Sequence, residues 1–567
     1  MGLDKVEAYI EDERNRFEVK GVAVAVVQAD EVLLEAGFGM ADEENGTAMT
    51  ADTVLAIGSS TKAFTATALG CLVDDGLLEW DKPVREYIDG FRMHDPVATE
   101  HLTVRDMLSH RSGLPRHDML WYGNDKLTRA DVVGRLRYLE PSKSFRAIWQ
   151  YNNLMYLTGG HLIEVLSGQT WEEAVQSRIL DKLGMGTTSF TFDSARASGK
   201  LASPYSKIED EVRLVPHRSL DLAGPAGSIN STVGDLAKWL QCNVNGGGRA
   251  GVEVITSPTL RQIHMPTMVM PEGPAMWDET YPGGYGLGWF LENYRGVRVV
   301  HHGGNIDGFS ALVAFAPKEK IGVAVLANMN ATSLPTVAVY RALDELLGLD
   351  PLPWGERYKG FLDAMIGGAK EAKDLRKAKA ATAPSSHPNA DLVGEYAHPG
   401  YGPLTVNLAA DGESLEAHYN NLDLVLTHRH FDVWDARYET VGVDLEITFL
   451  TASDGSVAGV KVPLEPTVKL IEFERQPDRS LADPKVLAGY QGSYALGPIT
   501  VTVVLKEDVL YASVAGQSPA ELVPHQGTTF KIKDSPATVE FEVDESGVAR
   551  RAIVQPAGVF DRVADEA

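Results

Sequence analysis

The chain has 567 residues, of which 44% are hydrophobic and 23% charged, so it is typical of folded water-soluble proteins, and its length predicts two to four domains. The net charge of −26 repels phosphate backbones and argues against nucleic acid as a partner. Two cysteines exclude a disulfide framework, and the absence of an apolar run of about 18 residues excludes a predicted membrane span.

The N-terminal third begins with a charged, amphipathic segment that lacks the apolar stretch of a secretory signal, so we expect a cytoplasmic protein. Residues 21–40 are two β-branched runs joined at Ala29 and Asp30, a pattern that predicts a β-hairpin. From Ser59 the apolar residues recur at helical spacing. A helix is therefore predicted to begin at or near Ser59, directly after Gly58.

The middle of the chain changes from helices back to strands. Residues 103 to about 245 carry helical spacing and capping-type starts in several segments. Strand patterns return at 285–292, 297–302, 309–316 and 321–328. Because strands open and close this region, we expect them to join in one sheet with a helical block at one side.

The residue pattern of the C-terminal part predicts a linker followed by β-structure. Residues 360–380 have a helical pattern, and the small, Pro-rich segment 381–390 indicates a linker. Beyond it, "GEYAHPGYGPLTV" from Gly394 is matched by "GSYALGPITV" from Gly492. This repeat predicts two related antiparallel barrels of ~90 residues each, the alternative being two unrelated β-domains that share a turn.

The stretch "IGSSTKAF" places Ser59 and Lys62 on one face of the predicted helix. A serine hydroxyl becomes a nucleophile when a base removes its proton. A lysine amine serves as that base only when it is neutral, which requires desolvation or nearby positive charge to lower its pKa. On this motif alone, Ser59 and Lys62 are either two ordinary helix residues or a nucleophile and its base.

Two further stretches carry polar groups suited to the same chemistry. In "WQYNNLMY", Tyr151 and Asn153 alternate and can face one side of a loop, although the stretch equally fits a turn with a packed aromatic ring. A tyrosine beside a lysine can share a proton relay, and an asparagine can hold a substrate amide. In "VVHHGGNIDGF", a strand runs into two glycines, which would let a substrate backbone lie close to its edge.

Together these stretches resemble the motifs of the penicillin-recognising serine hydrolases, a family of class C β-lactamases, D-alanyl-D-alanine carboxypeptidases, D-aminopeptidases and esterases. The three motifs, in the family's order, are matched by Ser59-x-x-Lys62, Tyr151-x-Asn153 and His302-Gly303-Gly304. Many relatives carry Lys-Thr-Gly in the third. The resemblance covers residues from about 5 to 345, and the two barrels make the layout most similar to serine D-aminopeptidases.

The resemblance implies an α/β (α+β) fold, with a β-lactamase/transpeptidase-like domain followed by two lipocalin-like barrels. We assign this domain to residues 1–380, with a trailing helix from about 355, and the linker to 381–390. The barrels are assigned to 391–478 and 479–567.

The resemblance also implies roles for individual residues in an acyl-enzyme mechanism. The catalytic residues would be Ser59, Lys62 and Tyr151. The substrate would be held by Asn153, His302 and Gly304. The backbone N–H groups of Ser59 and Asn305 would form the oxyanion hole.

We therefore expect a serine hydrolase that cleaves short peptide, amide or ester substrates, with the D-stereospecificity of the D-aminopeptidases as the implied preference. The alternatives are a β-lactamase or DD-carboxypeptidase, an acyl-transferring peptide cyclase, and a non-catalytic binding protein on this fold. Neither a cofactor nor a metal is expected, because His428 and His430 lack a third ligand nearby in sequence. The sequence leaves open whether the protein forms a homo-oligomer. In the resembling D-aminopeptidases a barrel loop limits substrate size, and we expect the same of one barrel here.

Overall fold

An eight-stranded antiparallel sheet joins the first strands of the chain to strands near residue 300, as predicted. The computed structural model describes residues 3–208, 210–270, 277–378, 383–439, 443–478, 481 and 483–563. In spatial order the strands of this central sheet are Thr280–Tyr285, Phe290–Tyr294, Val297–Ile306, Phe309–Ala316, Ile321–Ala327, Gly21–Gln28, Glu31–Asp42 and Thr47–Ala48.

The strand predicted over 285–292 is wrong as one element, because residues 286–289 leave the sheet between two strands. The Leu287 N–H donates to the Ile263 carbonyl at 2.9 Å instead of to a neighbouring strand. Gly288 has a φ of +81°, and a Cβ there would lie 2.9 Å from the Lys62 carbonyl oxygen. The loop therefore depends on a glycine to pass close to the helix that carries Lys62.

Both faces of the central sheet are covered. Along Gly21–Gln28, Ala23 and Ala25 face one core while Val22 and Val24 face another. This alternation follows from the two-residue period of a strand. Helices Thr61–Asp74 and Val233–Val244 contribute to the first core, and Asp4–Arg16 and Leu334–Leu347 to the second.

Along the chain, the helical block lies between the early and late strands of the sheet, as predicted. Its helices before residue 170 are Thr61–Asp74, Pro96–His101, Val104–Leu108, Arg129–Arg135 and Asn153–Ser167. Those after residue 170 are Trp171–Val175, Asp181–Leu183, Phe192–Ala197, Gly224–Gly227, Val233–Val244 and Ser257–Ile263. Short strand pairs join Leu55–Ala56 to Asn230–Ser231, Tyr205–Ile208 to Glu211–Leu214, and Gly248–Arg249 to Val252–Glu253.

Two closed eight-stranded antiparallel barrels follow the long helix Trp354–Ala378, so the prediction of two barrels is confirmed. The first barrel consists of Gly394–His398, Gly402–Leu408, Leu415–Tyr419, Leu422–His430, Val433–Tyr438, Val443–Thr451, Val457–Val462 and Ile471–Arg475. The second consists of Gly492–Leu496, Ile499–Lys506, Val509–Val514, Ala520–Gln526, Thr529–Ile532, Thr538–Val543, Ala549–Gln555 and Gly558–Val563. Short helices Asn389–Leu392 and Pro484–Ala488 precede them.

The barrels repeat each other in detail. The Tyr396 hydroxyl donates to the carbonyl four residues earlier at 2.7 Å, and the Tyr494 hydroxyl does the same at 2.7 Å. An arginine from the last strand lies over each ring, Arg475 in the first barrel and Arg562 in the second. In both barrels the repeated Gly-x-Tyr motif therefore lies where the first strand pairs with the last strand and closes the barrel.

The barrels differ in what they pack against. The buried apolar residues of the first barrel join the core that contains the Thr61–Asp74 helix, whereas those of the second form a core of their own. Of the predicted linker, residues 381 and 382 lie outside the described residues, and its end at Asn389 and Ala390 belongs to the short helix Asn389–Leu392.

Candidate active site

Ser59 lies on a tight turn that packs against the strand Val297–Ile306. The helix predicted at or near Ser59 begins as a 3-10 turn over Gly58–Ser60, and the α-helix continues from Thr61. A Cβ at Gly304 would lie 1.8 Å from the Ile57 carbonyl oxygen and 2.9 Å from the Ser59 nitrogen. Gly58 has a φ of +50°, and a Cβ there would lie 3.0 Å from the Asn305 nitrogen. Two glycines therefore bring the Ser59 and Asn305 N–H groups to one place.

Lys62 is fully buried one helical turn after Ser59. Its Nζ donates to the Ser59 Oγ at 2.9 Å and to the Ala226 carbonyl at 2.8 Å. Burial lowers the pKa of Lys62 well below its ordinary value, and the positive charge of Arg116 lowers it further. Lys62 can therefore be neutral near pH 7, which is the form that accepts a proton.

Tyr151 lies on the other side of the same amine. The Lys62 Nζ is 4.8 Å from the centre of the Tyr151 ring. Burial raises the pKa of Tyr151, while an interaction of its hydroxyl with the Ser59 side chain lowers it. The phenol therefore keeps its proton at neutral pH and can donate it.

Asn153 is the first residue of the helix Asn153–Ser167, with Asn152 as the N-cap, and so is not in the expected loop. Its Nδ2 donates to the Asp118 carboxylate at 2.9 Å, which fixes the orientation of the amide. Its Oδ1 is buried without a hydrogen-bond partner. Because buried polar atoms are nearly always paired, this oxygen is available to an N–H donor on a bound molecule.

His302 is 1% exposed, and both of its ring nitrogens are engaged. Nδ1 lies 2.6 Å from the Gly303 carbonyl oxygen and must donate to it, so Nε2 accepts from the Tyr285 hydroxyl at 3.0 Å. Burial lowers the pKa of His302 well below its ordinary value, with Lys62 adding to the effect. The imidazole is therefore neutral, and its one N–H is already used.

Arg116 and Asp118 also belong to the site, although neither lies in one of the three sequence motifs. Arg116 lies 5.1 Å over the Tyr151 ring and donates to Asp118 at 2.6 Å. Asp118 also accepts from the Trp121 indole at 2.9 Å. The stretch 103–115 resembles the family, but it ends at Pro115, and nothing in the sequence indicated that Arg116, 57 positions after Ser59, faces the same amine.

Ser59 lines a cavity of about 400 Å³ that lies between its own domain and the first barrel. Its near part is lined by Gly58, Ser59, Arg116, Asp118, Asn153, Ala226, Asn305 and Asp307. Its far part is lined by residues of the first barrel, including Tyr419, Tyr438 and Ile447. The first barrel therefore forms part of the wall of the site, and it does so with strands rather than with one loop.

Two features are absent from the described residues, a metal-ligand cluster and a membrane-spanning helix. No group of three or more His, Cys, Asp or Glu side chains there is placed to hold a metal ion. The His428 Nε2–H donates to the Phe431 carbonyl oxygen at 2.8 Å. None of the described helices is both long enough and apolar enough to cross a membrane.

Comparisons with known proteins agree with this architecture. The Beta-lactamase family model matches residues 6–346, and a domain of unknown function, DUF3471, matches 378–475, the first barrel. An unguisins hydrolase from Aspergillus campestris is 30% identical over 491 residues, covering 80% of this chain and 88% of the relative.

Two solved structures share the fold. The octameric penicillin-binding protein homologue from Pyrococcus abyssi superposes with a TM-score of 0.55 at 23% identity, covering 84% of this chain and all of that one. The D-amino acid amidase from Ochrobactrum anthropi SV3 gives a TM-score of 0.50 at 23% identity, covering 61% of this chain and 97% of the amidase. By its family match and the identity of its relatives, the chain belongs to the beta-lactamase family.

Proposed function

We propose that the protein is a serine hydrolase that forms an acyl-enzyme at Ser59 and cleaves amide or ester bonds of short peptide-like substrates. The observation that carries the proposal is the buried Lys62 amine, 2.9 Å from the Ser59 Oγ, with a pKa lowered by burial and by Arg116. A neutral amine at hydrogen-bond distance is the general base that a serine nucleophile needs.

Acylation then follows from the positions of four groups. The Ser59 Oγ attacks the substrate carbonyl carbon, and its proton moves to the Lys62 Nζ. The carbonyl oxygen gains negative charge and is held by the N–H groups of Ser59 and Asn305, which the two glycines bring together. The carbon–nitrogen or carbon–oxygen bond breaks as Tyr151 gives its proton to the leaving atom and recovers one from Lys62.

Deacylation reverses the proton path. A water molecule gives a proton to the Lys62–Tyr151 pair and adds to the ester carbonyl. The bond to the Ser59 Oγ breaks, and that oxygen regains a proton from Lys62. The acid product leaves, and the enzyme returns to its starting protonation state.

Amides are the substrates that the site supports best. Asn153 lines the cavity, and its Oδ1 has no hydrogen-bond partner in the protein, so the residue suits an N–H group of a peptide-like substrate. A solved neighbour is named a D-amino acid amidase, and a relative is named an unguisins hydrolase. D- and L-amino acid amides and nitroanilides are therefore the first panel to test.

Covalent labelling tests the proposal directly. A fluorophosphonate should add to wild type, and mass spectrometry of the digest should place the adduct on Ser59. Ser59→Ala should stay folded by circular dichroism and remain unlabelled, and Lys62→Ala should slow labelling by about 10²–10⁴-fold. Ser60→Ala is the matched control, because its hydroxyl donates to the His302 carbonyl and not to Lys62. An adduct elsewhere, or full activity in Ser59→Ala, would refute the assignment.

A further inference from the structure

The cavity at Ser59 continues into the interior of the first barrel. Its far part is lined by Leu404, Ala417, Leu422, Leu424, Ala436, Leu445, Ile447, Val462 and Leu464. All but the last lie on six of the eight strands of the barrel. An eight-stranded barrel is just wide enough to be filled by its own side chains or to hold one small ligand. At Ala417 and Ala436 the inward side chains are small, which leaves space beside the larger ones.

The cavity ends inside the barrel. Tyr396, Trp434 and Phe449 are buried in the same barrel and do not line the cavity. The Phe449 ring packs 6.0 Å from Tyr396 and 6.3 Å from Trp434. These rings occupy barrel interior that the cavity does not reach, and we call the apolar part of the cavity within the barrel the chamber. The whole cavity, from Ser59 into the barrel, measures about 400 Å³, within the range of about 300–1,000 Å³ for small-molecule sites.

The polar groups between Ser59 and the chamber are already paired with one another. Arg218 donates to Asp307 at 2.9 Å and to the Tyr438 hydroxyl at 2.5 Å, and the Tyr122 hydroxyl donates to Asp307 at 2.9 Å. The Tyr419 hydroxyl donates to a backbone carbonyl at 2.9 Å. These groups hold the barrel against the domain that carries Ser59. A ligand that passes them therefore meets a chamber whose free surface is apolar.

The chamber lies on the acyl side of the scissile bond. Asn153 lines the cavity, whereas Tyr151 and His302 are not among its lining residues. In the proposed mechanism Tyr151 protonates the leaving atom, so the leaving group lies beside Tyr151. The part of the substrate that extends into the cavity is therefore the part that stays bonded to Ser59.

We propose that the interior of the first barrel binds an apolar group, an alkyl chain or an aromatic side chain, on the acyl part of the substrate. This inference rests on the proposed acyl-enzyme function and specifies its substrate class. Burial of apolar surface in the chamber should then raise kcat/KM by about threefold for each added methylene until the chamber is full.

A series of 4-nitrophenyl esters from acetate to octanoate tests the chamber. Wild type should prefer octanoate to acetate by at least about 30-fold in kcat/KM, the gain expected when the chamber buries three of the six added methylenes. Ala417→Leu and Ala436→Leu place extra carbons in the chamber and should lower this octanoate-to-acetate ratio by at least tenfold. Ala512→Leu, the equivalent position in the second barrel, is the matched control and should keep the wild-type ratio.

A binding measurement separates this inference from the proposed chemistry. The neutral fluorophore N-phenyl-1-naphthylamine should bind wild type and Ser59→Ala equally, and Ala417→Leu at least tenfold more weakly. If Ser59→Ala kept its esterase activity, the proposed function would fail while this binding would still report on the chamber. Equal rates for all esters in wild type, or an unchanged ester ratio and unchanged fluorophore affinity in folded Ala417→Leu and Ala436→Leu, would overturn the inference.

Discussion

Burial shifts the pKa values of Lys62, Tyr151 and His302, and it acts in opposite directions on acids and bases. Removing Lys62 and His302 from water lowers their pKa values, because it disfavours their charged forms. Removing Tyr151 from water raises its pKa for the same reason. Burial therefore favours a neutral amine beside a protonated phenol. That pair can take a proton from Ser59 and give one to a leaving group.

Arg116 provides a test of this arrangement through pH dependence. Acylation needs neutral Lys62, so kcat/KM should fall as pH drops through the Lys62 pKa. The charge of Arg116 lowers that pKa. In Arg116→Gln the pKa should rise and the acid limb of kcat/KM for a nitrophenyl ester should move to higher pH. Arg116→Lys keeps the charge and should keep the limb. An unmoved limb in Arg116→Gln would show that another group controls it.

His302 predicts weak recognition of carboxylate-ended substrates. A neutral imidazole with its N–H donated to the Gly303 carbonyl offers no charge to a carboxylate, and Arg116 is already paired with Asp118. We expect a peptide amide to exceed the free acid of the same peptide by about tenfold in kcat/KM, the difference between a charged and a neutral hydrogen bond. Efficient turnover of a chromogenic cephalosporin at pH 8 would contradict this expectation.

At the scale of elements, the contact between the Gly58–Ser60 turn and the strand Val297–Ile306 would form the proposed oxyanion site. In Gly304→Ala the new methyl would collide with the Ile57 carbonyl and displace the turn. We expect acylation by a fluorophosphonate to slow by about 10²-fold, the effect of losing one oxyanion donor. Gly303→Ala is the control, since its methyl would meet no atom closer than 3.5 Å. Equal rates for the two variants would refute this role for Gly304.

The elements themselves were largely predictable, and the contacts between them were not. Residue patterns predicted the hairpin at residues 21–40 and the strands at 309–316 and 321–328, and the internal repeat predicted the barrels. Periodicity could not show that Gly304 is needed for the Ser59 turn, since the two lie 245 positions apart and only the folded register brings them together. The same limit hid Arg116, whose effect on Lys62 is electrostatic and leaves no pattern in the sequence.

At the scale of the whole molecule, two similar barrels have different roles. Their sequences repeat, and their closing Tyr–Arg contacts are the same. Among the described residues, only those of the first barrel share a buried core with the domain that carries Ser59. The Asn420 Nδ2, in a turn of this barrel, donates to the Met119 and Tyr122 carbonyls, each at 3.1 Å, and fixes the barrel there. The repeat predicted two barrels, but it could not reveal which of them lines the site.

Truncation distinguishes the two roles. A chain that stops after Asp478 lacks only the second barrel, whose buried apolar residues form a separate core. We expect it to remain folded, to react with fluorophosphonate at the wild-type rate and to keep the preference for octanoate esters.

A chain that stops at Pro384 also loses the first barrel, which exposes apolar surface of the shared core and opens the chamber to water. It should aggregate, or else lose the preference for octanoate over acetate. Solubility, labelling rate and the ester ratio measure both truncations. A Pro384 truncation that keeps the ester ratio would leave the first barrel with a structural role alone.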